Sequence, residues 1–142
     1  MSVGGGVQNL AEAYGHGRCV VCGDRNPHSL HLRFEPTADG GVRAPFFAHA
    51  ELQGYADMLH GGVTASLLDA AMTHCLFHLG VEAVTGELNI RYLRPIPCGS
   101  SLEIRAWRLG AYPPLHSLKA QILASDVIMT QAEAKFMERS AR

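Results

Sequence analysis

The sequence predicts one α+β domain, a mainly antiparallel sheet with a single long helix. Three observations carry this. The chain has 142 residues, near the common size of one domain and enough to bury one core but not two. One stretch, 61–79, is long and apolar in the manner of a buried helix. The remaining regular segments alternate apolar with polar residues and are joined by turns too short for the crossover that a parallel pair requires. Apolar residues make up 47% and charged residues 18%, a globular rather than disordered balance.

In chain order, residues 1–28 read as a loose leader, Gly-rich at its start and without the basic opening and apolar run of a signal peptide. Leu30, Leu32 and Phe34 then alternate with His31, Arg33 and Glu35; after Asp39-Gly40-Gly41 the alternation resumes at Val42, Ala44 and Phe46, which predicts a β-hairpin. The helix opens at Gly61-Gly62 and closes near Gly80. Val84, Gly86, Leu88, Ile90 and Tyr92 alternate with Thr85, Glu87, Asn89 and Arg91 until Pro95 and Pro97 end that strand. Three further strands are expected at about 101–109, 115–124 and 127–137, divided by Cys98-Gly99-Ser100, Pro113-Pro114 and Ser125-Asp126. The order is β-β-α-β-β-β-β, with the whole of 1–142 as one domain.

A net charge of −1 with dispersed arginines offers no field for a polyanion, so nucleic acid is not an expected partner. No uncharged stretch is long enough for a bilayer, so no membrane partner is expected and a cytoplasmic location is the default. Of four cysteines only Cys19 and Cys22 form a C-x-x-C pair. His16, His28 or His31 offer further ligands, but a closed zinc site needs four and no second cysteine pair exists, so an unbound pair and no metal are expected. His74 and His78 stand i, i+4 on the helix without the Glu of the H-E-x-x-H zinc motif, and are expected to pack or hydrogen-bond.

The helix carries the chemistry. Residues 61–79 are apolar almost all round, and Asp69 is the sole charged residue among them. An ionised carboxylate in such a place costs several kcal/mol on an order-of-magnitude scale unless it is paired or hydrogen-bonded. Capping a nearby turn, pairing with an arginine such as Arg91 or Arg94, or facing a solvated gap between subunits are the structural explanations; perturbed acid-base chemistry is the functional one, and the favoured one. At the other end, His60-Gly61-Gly62 presents backbone N–H groups at a helix start with no side chains in the way, a place that attracts negative charge and stabilises an oxyanion. Gly61 and Asp69 are eight positions apart, roughly 12 Å along a helix, whereas one reacting carbonyl must lie about 3 Å from both groups. Both act on one carbonyl only if they come from different subunits, which predicts a homo-oligomer with its sites at a two-fold interface.

The stretch His60-Gly61-Gly62-x6-Asp69, followed by Thr85-x-Glu87-x-Asn89-x-Arg91-Tyr92-Leu93-Arg94-Pro95, resembles the phenylacetate-degradation branch of the hotdog-fold thioesterases, from about Leu30 to Met137. The resemblance implies a sheet wrapped round the central helix, homodimers that often pair into homotetramers, and hydrolysis of acyl-CoA without metal or organic cofactor. Carried over by position, Gly61 donates to the thioester oxygen, Asp69 serves as general base or nucleophile, Thr85 helps place the water, and His60 and Gly62 shape the helix entrance. Several relatives have an Asn six residues before the histidine; here Gly54 stands there, and the adjacent Gln53 becomes a candidate substrate contact. Arg91, Arg94 and Arg105 are candidates for the CoA phosphates.

Three other readings compete, of which a purely structural oligomer is disfavoured because the uncapped Gly-Gly helix start and the lone carboxylate both add cost without evident packing benefit. Gly23-Asp24-Arg25-Asn26-Pro27-His28 is similar to a motif of hotdog enoyl-CoA hydratases, but there it opens the central helix, whereas here a strand-like alternation follows. A non-catalytic acyl-CoA sensor would keep the pocket, yet gains nothing from a carboxylate beside an apolar acyl chain.

Overall fold

The structure, a computed structural model, describes residues 10–139. A short helix α1 (Leu10–Ala13) is followed by strands β1 (Glu35–Pro36) and β2 (Val42–Phe47), a 3-10 turn at Ala50–Leu52, the long helix α2 (Gly61–His78), and strands β3 (Ala83–Tyr92), β4 (Ser101–Tyr112), β5 (Leu115–Ala124) and β6 (Val127–Glu138). The six strands form one sheet in the order β1-β2-β4-β5-β6-β3, every neighbouring pair antiparallel. No described helix is long and apolar enough to cross a membrane.

The first hairpin is much shorter than the alternation suggests. Only Glu35 and Pro36 pair with β2, through Arg43 and Val42. Leu30 and Leu32 spend their N–H groups on the carbonyls of Val20 and Val21, and His31 sits at φ 54, which breaks an extended ladder. Leu32 and Phe34 are still buried while Arg33 is exposed, so the alternation reports burial rather than pairing.

The sheet curls round α2, which contacts β2, β3, β4, β5 and β6. From Ala70 to Phe77 every residue of the helix is buried, because sheet covers one side and chain segments the other. Leu67, Leu68, Met72 and Leu76 meet Ile104, Leu118, Ile122 and Phe136 in a core where none of these is more than 1% exposed. Each such side chain contributes about 1.5–3 kcal/mol by leaving water.

The cover on the second side corrects the expectation of a loose leader at 1–28. Residues 1–9 lie outside the described residues, but Tyr14 stacks on Phe77 with ring centroids 4.5 Å apart, and Val21 and Cys22 are buried. Exposed pairs at Arg25–Glu12 (2.9 Å) and Arg33–Asp24 (2.6 Å) fold the segment back on itself.

One irregularity positions the site. The pairing of β3 with β6 shifts between Thr85 and Glu87, leaving Gly86 as an extra residue. Thr85 therefore lies opposite the buried Phe136, and Leu88, Ile90 and Tyr92 lie opposite the buried Ala134, Ala132 and Thr130. Strict alternation would place Thr85 and Leu88 on opposite faces; the bulge aims both at the helix.

Candidate active site

The helix N-terminus is open but not uncapped. His60 takes the N-cap position with an extended backbone, and its Nδ1 accepts the Gly62 N–H at 2.8 Å. This amends the expectation of two free donors, and neither this bond nor the Thr64 N–H to His60 carbonyl bond uses the Gly61 N–H. The two glycines differ accordingly. A Cβ on Gly62 would come within 3.0 Å of the His60 ring, so Gly62 makes room for the cap. A Cβ on Gly61 would meet nothing closer than the Tyr92 hydroxyl at 3.7 Å, so packing within the chain does not demand a glycine there. Tyr92 donates its hydroxyl to the Gly61 carbonyl at 2.8 Å and ties the first helical residue to the end of β3.

This end of α2 opens into a cavity of about 670 Å³ lined by Gly54, Met58, His60, Gly61, Tyr92 and Arg94 among others. It is a mostly apolar groove with a helix dipole pointing into it, suited to a long acyl group whose carbonyl lies at the helix start. Asp69 is not among its lining residues.

Asp69 is half-buried, two turns further along. Its Oδ1 accepts a hydrogen bond from Thr85 Oγ1 at 2.5 Å. No arginine reaches the carboxylate among the described residues, so the ion-pair explanation with Arg91 or Arg94 fails. Burial pushes the Asp69 carboxyl above its ordinary value, the Thr85 hydrogen bond pulls it back, nearby Cys19 adds to the rise and His16 opposes it. Such a carboxylate is desolvated, basic for its kind and held in one orientation.

The other predicted residues divide. Arg94 lines the groove. Arg91 does not; it lies with Glu87, Asn89 and Gln131 in a separate depression of about 430 Å³ over β3, β5 and β6. Arg105 is paired with Glu103 at 3.1 Å on β4. Gln53 is exposed and its Oε1 accepts the Asp57 N–H at 2.8 Å, which braces the loop before the helix; Gly54, not Gln53, lines the groove. The hydratase-like segment is an Asx turn, Asn26 Oδ1 accepting the His28 N–H at 2.9 Å, with Asp24 committed to Arg33. Two residues near the site escape sequence reasoning. Tyr92 reads as one more apolar strand position, and only its place two residues before Arg94 hints that its hydroxyl returns to the helix. His16 lies in the segment read as loose; there its charged form is favoured by hydrogen bonding to Cys19, against burial. The Cys19 thiol is pushed down to about 3 by hydrogen bonds from Cys22 and His16, while Cys22 is pushed up by the same pairing and by burial.

Comparison with known proteins places this arrangement. Residues 56–109, which hold the helix start, Asp69, Thr85 and Tyr92, match the family model described as Thioesterase superfamily. The acyl-coenzyme A thioesterase THEM4 of Mus musculus is 30% identical over 89 residues, 61% of this chain and 38% of that protein. The chain spans 22% to 47% of the length of the curated relatives it matches. A thioesterase superfamily protein of known crystal structure superposes with a TM-score of 0.76 at 26% identity, covering 81% of this chain and 60% of that one. The PaaI protein of the phenylacetic acid degradation operon of E. coli superposes at 0.73 with 19% identity, covering 79% and 82%, a likeness of fold.

Proposed function

We propose that the chain, which has the hotdog fold of the thioesterases it superposes on, is a PaaI-like member of the thioesterase superfamily that hydrolyses acyl-CoA to the free acid and CoA. The carrying observation is the Asp69 carboxylate, held by Thr85 at 2.5 Å in an otherwise apolar helix. A half-buried carboxylate with one hydroxyl partner and no ion pair among the described residues is costly in a structural element and useful as a base or nucleophile.

The carbonyl binds with its oxygen at the Gly61 N–H, where the helix dipole favours the oxyanion that forms on attack. His60 caps Gly62 and Tyr92 holds the Gly61 carbonyl, so the donor is fixed before substrate arrives. Asp69 then attacks the carbonyl carbon or takes a proton from attacking water, and Thr85 orients the carboxylate and its water. The thiolate of CoA leaves and takes up a proton; where water was the nucleophile the acid is released directly, and where Asp69 was, a water cleaves the mixed anhydride so formed, releasing the acid and restoring the carboxylate. The acyl chain lies along the apolar groove, and Arg94 meets the polar part of CoA.

The Asp69 that serves a given groove comes from a second copy of the chain. Supporting this, the groove excludes the Asp69 of its own chain, and β3 is a ten-residue edge strand with Val84, Leu88 and Tyr92 at 53%, 36% and 53% exposure. A long, partly apolar edge calls for a partner. Dimers, or dimers of dimers, complete the site.

A thiol-release assay over short, long and aromatic acyl-CoAs, wild type against Asp69→Ala at matched oligomeric state, tests the proposal. The expected loss in kcat is about 10²–10⁴-fold, the scale of a positioned acid-base group. Binding of acyl-CoA without turnover on any thioester would reassign the protein as a sensor.

A further inference from the structure

Beyond the thioester site, the segment that covers α2 brings together a second set of reactive groups. The sequence His16-x-x-Cys19-x-x-Cys22-Gly23 folds so that one ligand atom from each of His16, Cys19 and Cys22 lies within 4.8 Å of the other two. We propose that these three residues bind a thiolate-preferring divalent metal ion, zinc in the first place, and that this metal pins the segment around residues 10–34 onto the closed end of α2. The candidates that ligand counting leaves open, His28 and His31, are exposed and outside the cluster; His16 is the one that folding delivers.

Four features support a ligand set over a chance cluster. His16 Nδ1 and Cys22 Sγ are 3.7 Å apart, and a tetrahedral site with Zn–S of about 2.3 Å and Zn–N of about 2.0 Å has an N–S edge of roughly 3.6 Å. The Val21 N–H donates to Cys19 Sγ at 3.3 Å, the kind of outer contact that holds a sulfur ligand in orientation. The turn that brings the sulfurs together admits only glycine at its close: a Cβ on Gly23 would sit 2.5 Å from the Cys19 nitrogen and 2.6 Å from the Gly17 carbonyl oxygen. Finally, His74 is 5% exposed, its Nε2 has no hydrogen-bond partner among the described residues, and its ring lies edge-on to that of His16 with centroids 6.5 Å apart. A buried ring nitrogen left so is rare and marks polar capacity unused beside the cluster. Both cysteines are unbridged. Binding M²⁺ to two thiolates and an imidazole releases to solvent the protons held by Cys22 and by the His16–Cys19 pair, and changes no oxidation state.

The inference does not depend on thioesterase activity, and its test does not measure it. Full-length protein, reduced under anaerobic conditions and stripped with a chelator, is titrated with Co²⁺. One Co²⁺ per chain is expected, with thiolate-to-cobalt charge-transfer absorption and the intense visible bands of a tetrahedral ion, both displaced by Zn²⁺, and with a rise in Tm. His16→Ala and Cys19→Ala, checked for folding by circular dichroism, each weaken Co²⁺ binding by more than about 100-fold, since even outer contacts are worth 10–100-fold, and Cys19→Ala diminishes the charge-transfer band. His28→Ala leaves both readouts unchanged. Folded, reduced wild type that takes up no Co²⁺, or a Co²⁺ spectrum that survives Cys19→Ala, overturns the proposal.

Discussion

The two ends of α2, on either side of Asp69, both lack Asp, Glu, Lys and Arg but have opposite surroundings. At the N-terminal end Gly61 and Gly62 are exposed and Gly61 lines an open groove. Across the C-terminal half, Ala70 to Phe77, every residue is buried. The difference lies in what the chain lays over each: Tyr14, His16 and Phe34 pack against Phe77 and His74 of the closed half, whereas among the described residues the open end is bordered by the end of β3 and the groove. Asp69 stands at the junction, dry enough to be perturbed and exposed enough to be reached. Packing and the proposed chemistry thus occupy different halves of one helix, so substitutions in the two should separate cleanly.

The largest separation is expected from deleting packing on the closed half. Leu76 is 1% exposed, and Leu76→Ala should cost about 2–5 kcal/mol of unfolding free energy. Val63→Ala, on the half-buried first turn, should cost less than about 1.5 kcal/mol. Urea unfolding of both variants tests this, and equal losses would mean that the open end is covered in solution.

The two glycines sharpen the contrast within three residues. Gly61→Ala finds room in the chain itself, so it should leave Tm level or slightly raised, as Ala is favoured over Gly in a helix by roughly 0.5–1 kcal/mol. Its methyl group intrudes on the proposed carbonyl position, and kcat should fall by about 10²-fold, the scale of losing an oxyanion donor. Gly62→Ala meets the His60 ring at 3.0 Å and should displace the cap, costing about 0.5–2 kcal/mol before the helix-propensity gain. Parallel thermal melts and thiol-release assays distinguish the two; unimpaired turnover in Gly61→Ala would remove Gly61 from the mechanism.

Much of this was legible in the sequence. The helix at 61–79, the strand at 84–92 and the later strands are within a few residues of the observed Gly61–His78, Ala83–Tyr92 and following elements, because their periodicity and their Gly and Pro boundaries act locally. Asp69 stood out because charge in an apolar helix is visible without tertiary information. What failed were features set by tertiary contact. Leu30 to Phe34 alternate because one face is buried, which says nothing about where their N–H groups bond. The segment at 10–28 has no periodicity, and its order comes from Tyr14 on Phe77 and the turn at Cys19–Gly23. The Gly86 bulge, which decides that Thr85 faces Asp69, is one inserted residue in an otherwise regular strand. Tyr92 reveals its bond to the Gly61 carbonyl only once β3 lies beside the helix start.

That bond yields a smaller effect. Tyr92→Phe keeps the ring in the groove and removes the hydroxyl that fixes Gly61 at 2.8 Å. One hydrogen bond is worth about 1 kcal/mol net, which corresponds to roughly fivefold in kcat/KM. Steady-state kinetics should show that loss together with a fall in Tm of no more than a few degrees; a fall in Tm without a kinetic change would make the contact merely structural.

The subtlest effect is on pH dependence, at the junction of the two halves. Asp69 is pushed up by burial and pulled down by the Thr85 hydrogen bond, which stabilises the ionised carboxylate. Whether base or nucleophile, Asp69 acts ionised, so kcat/KM should rise with pH through the Asp69 titration and then level off. Thr85→Val keeps the β-branched shape and deletes the donor. The charged form loses its partner, burial acts unopposed, and the acid limb should move to higher pH. The plateau separates the two duties assigned to Thr85: a plateau within about fivefold of wild type, the worth of one hydrogen bond, means that Thr85 acts through the carboxylate alone, while a deeper fall means that it also places the attacking water. An acid limb that stays where it is, or moves to lower pH, would show that the titration governing turnover belongs to a group other than Asp69.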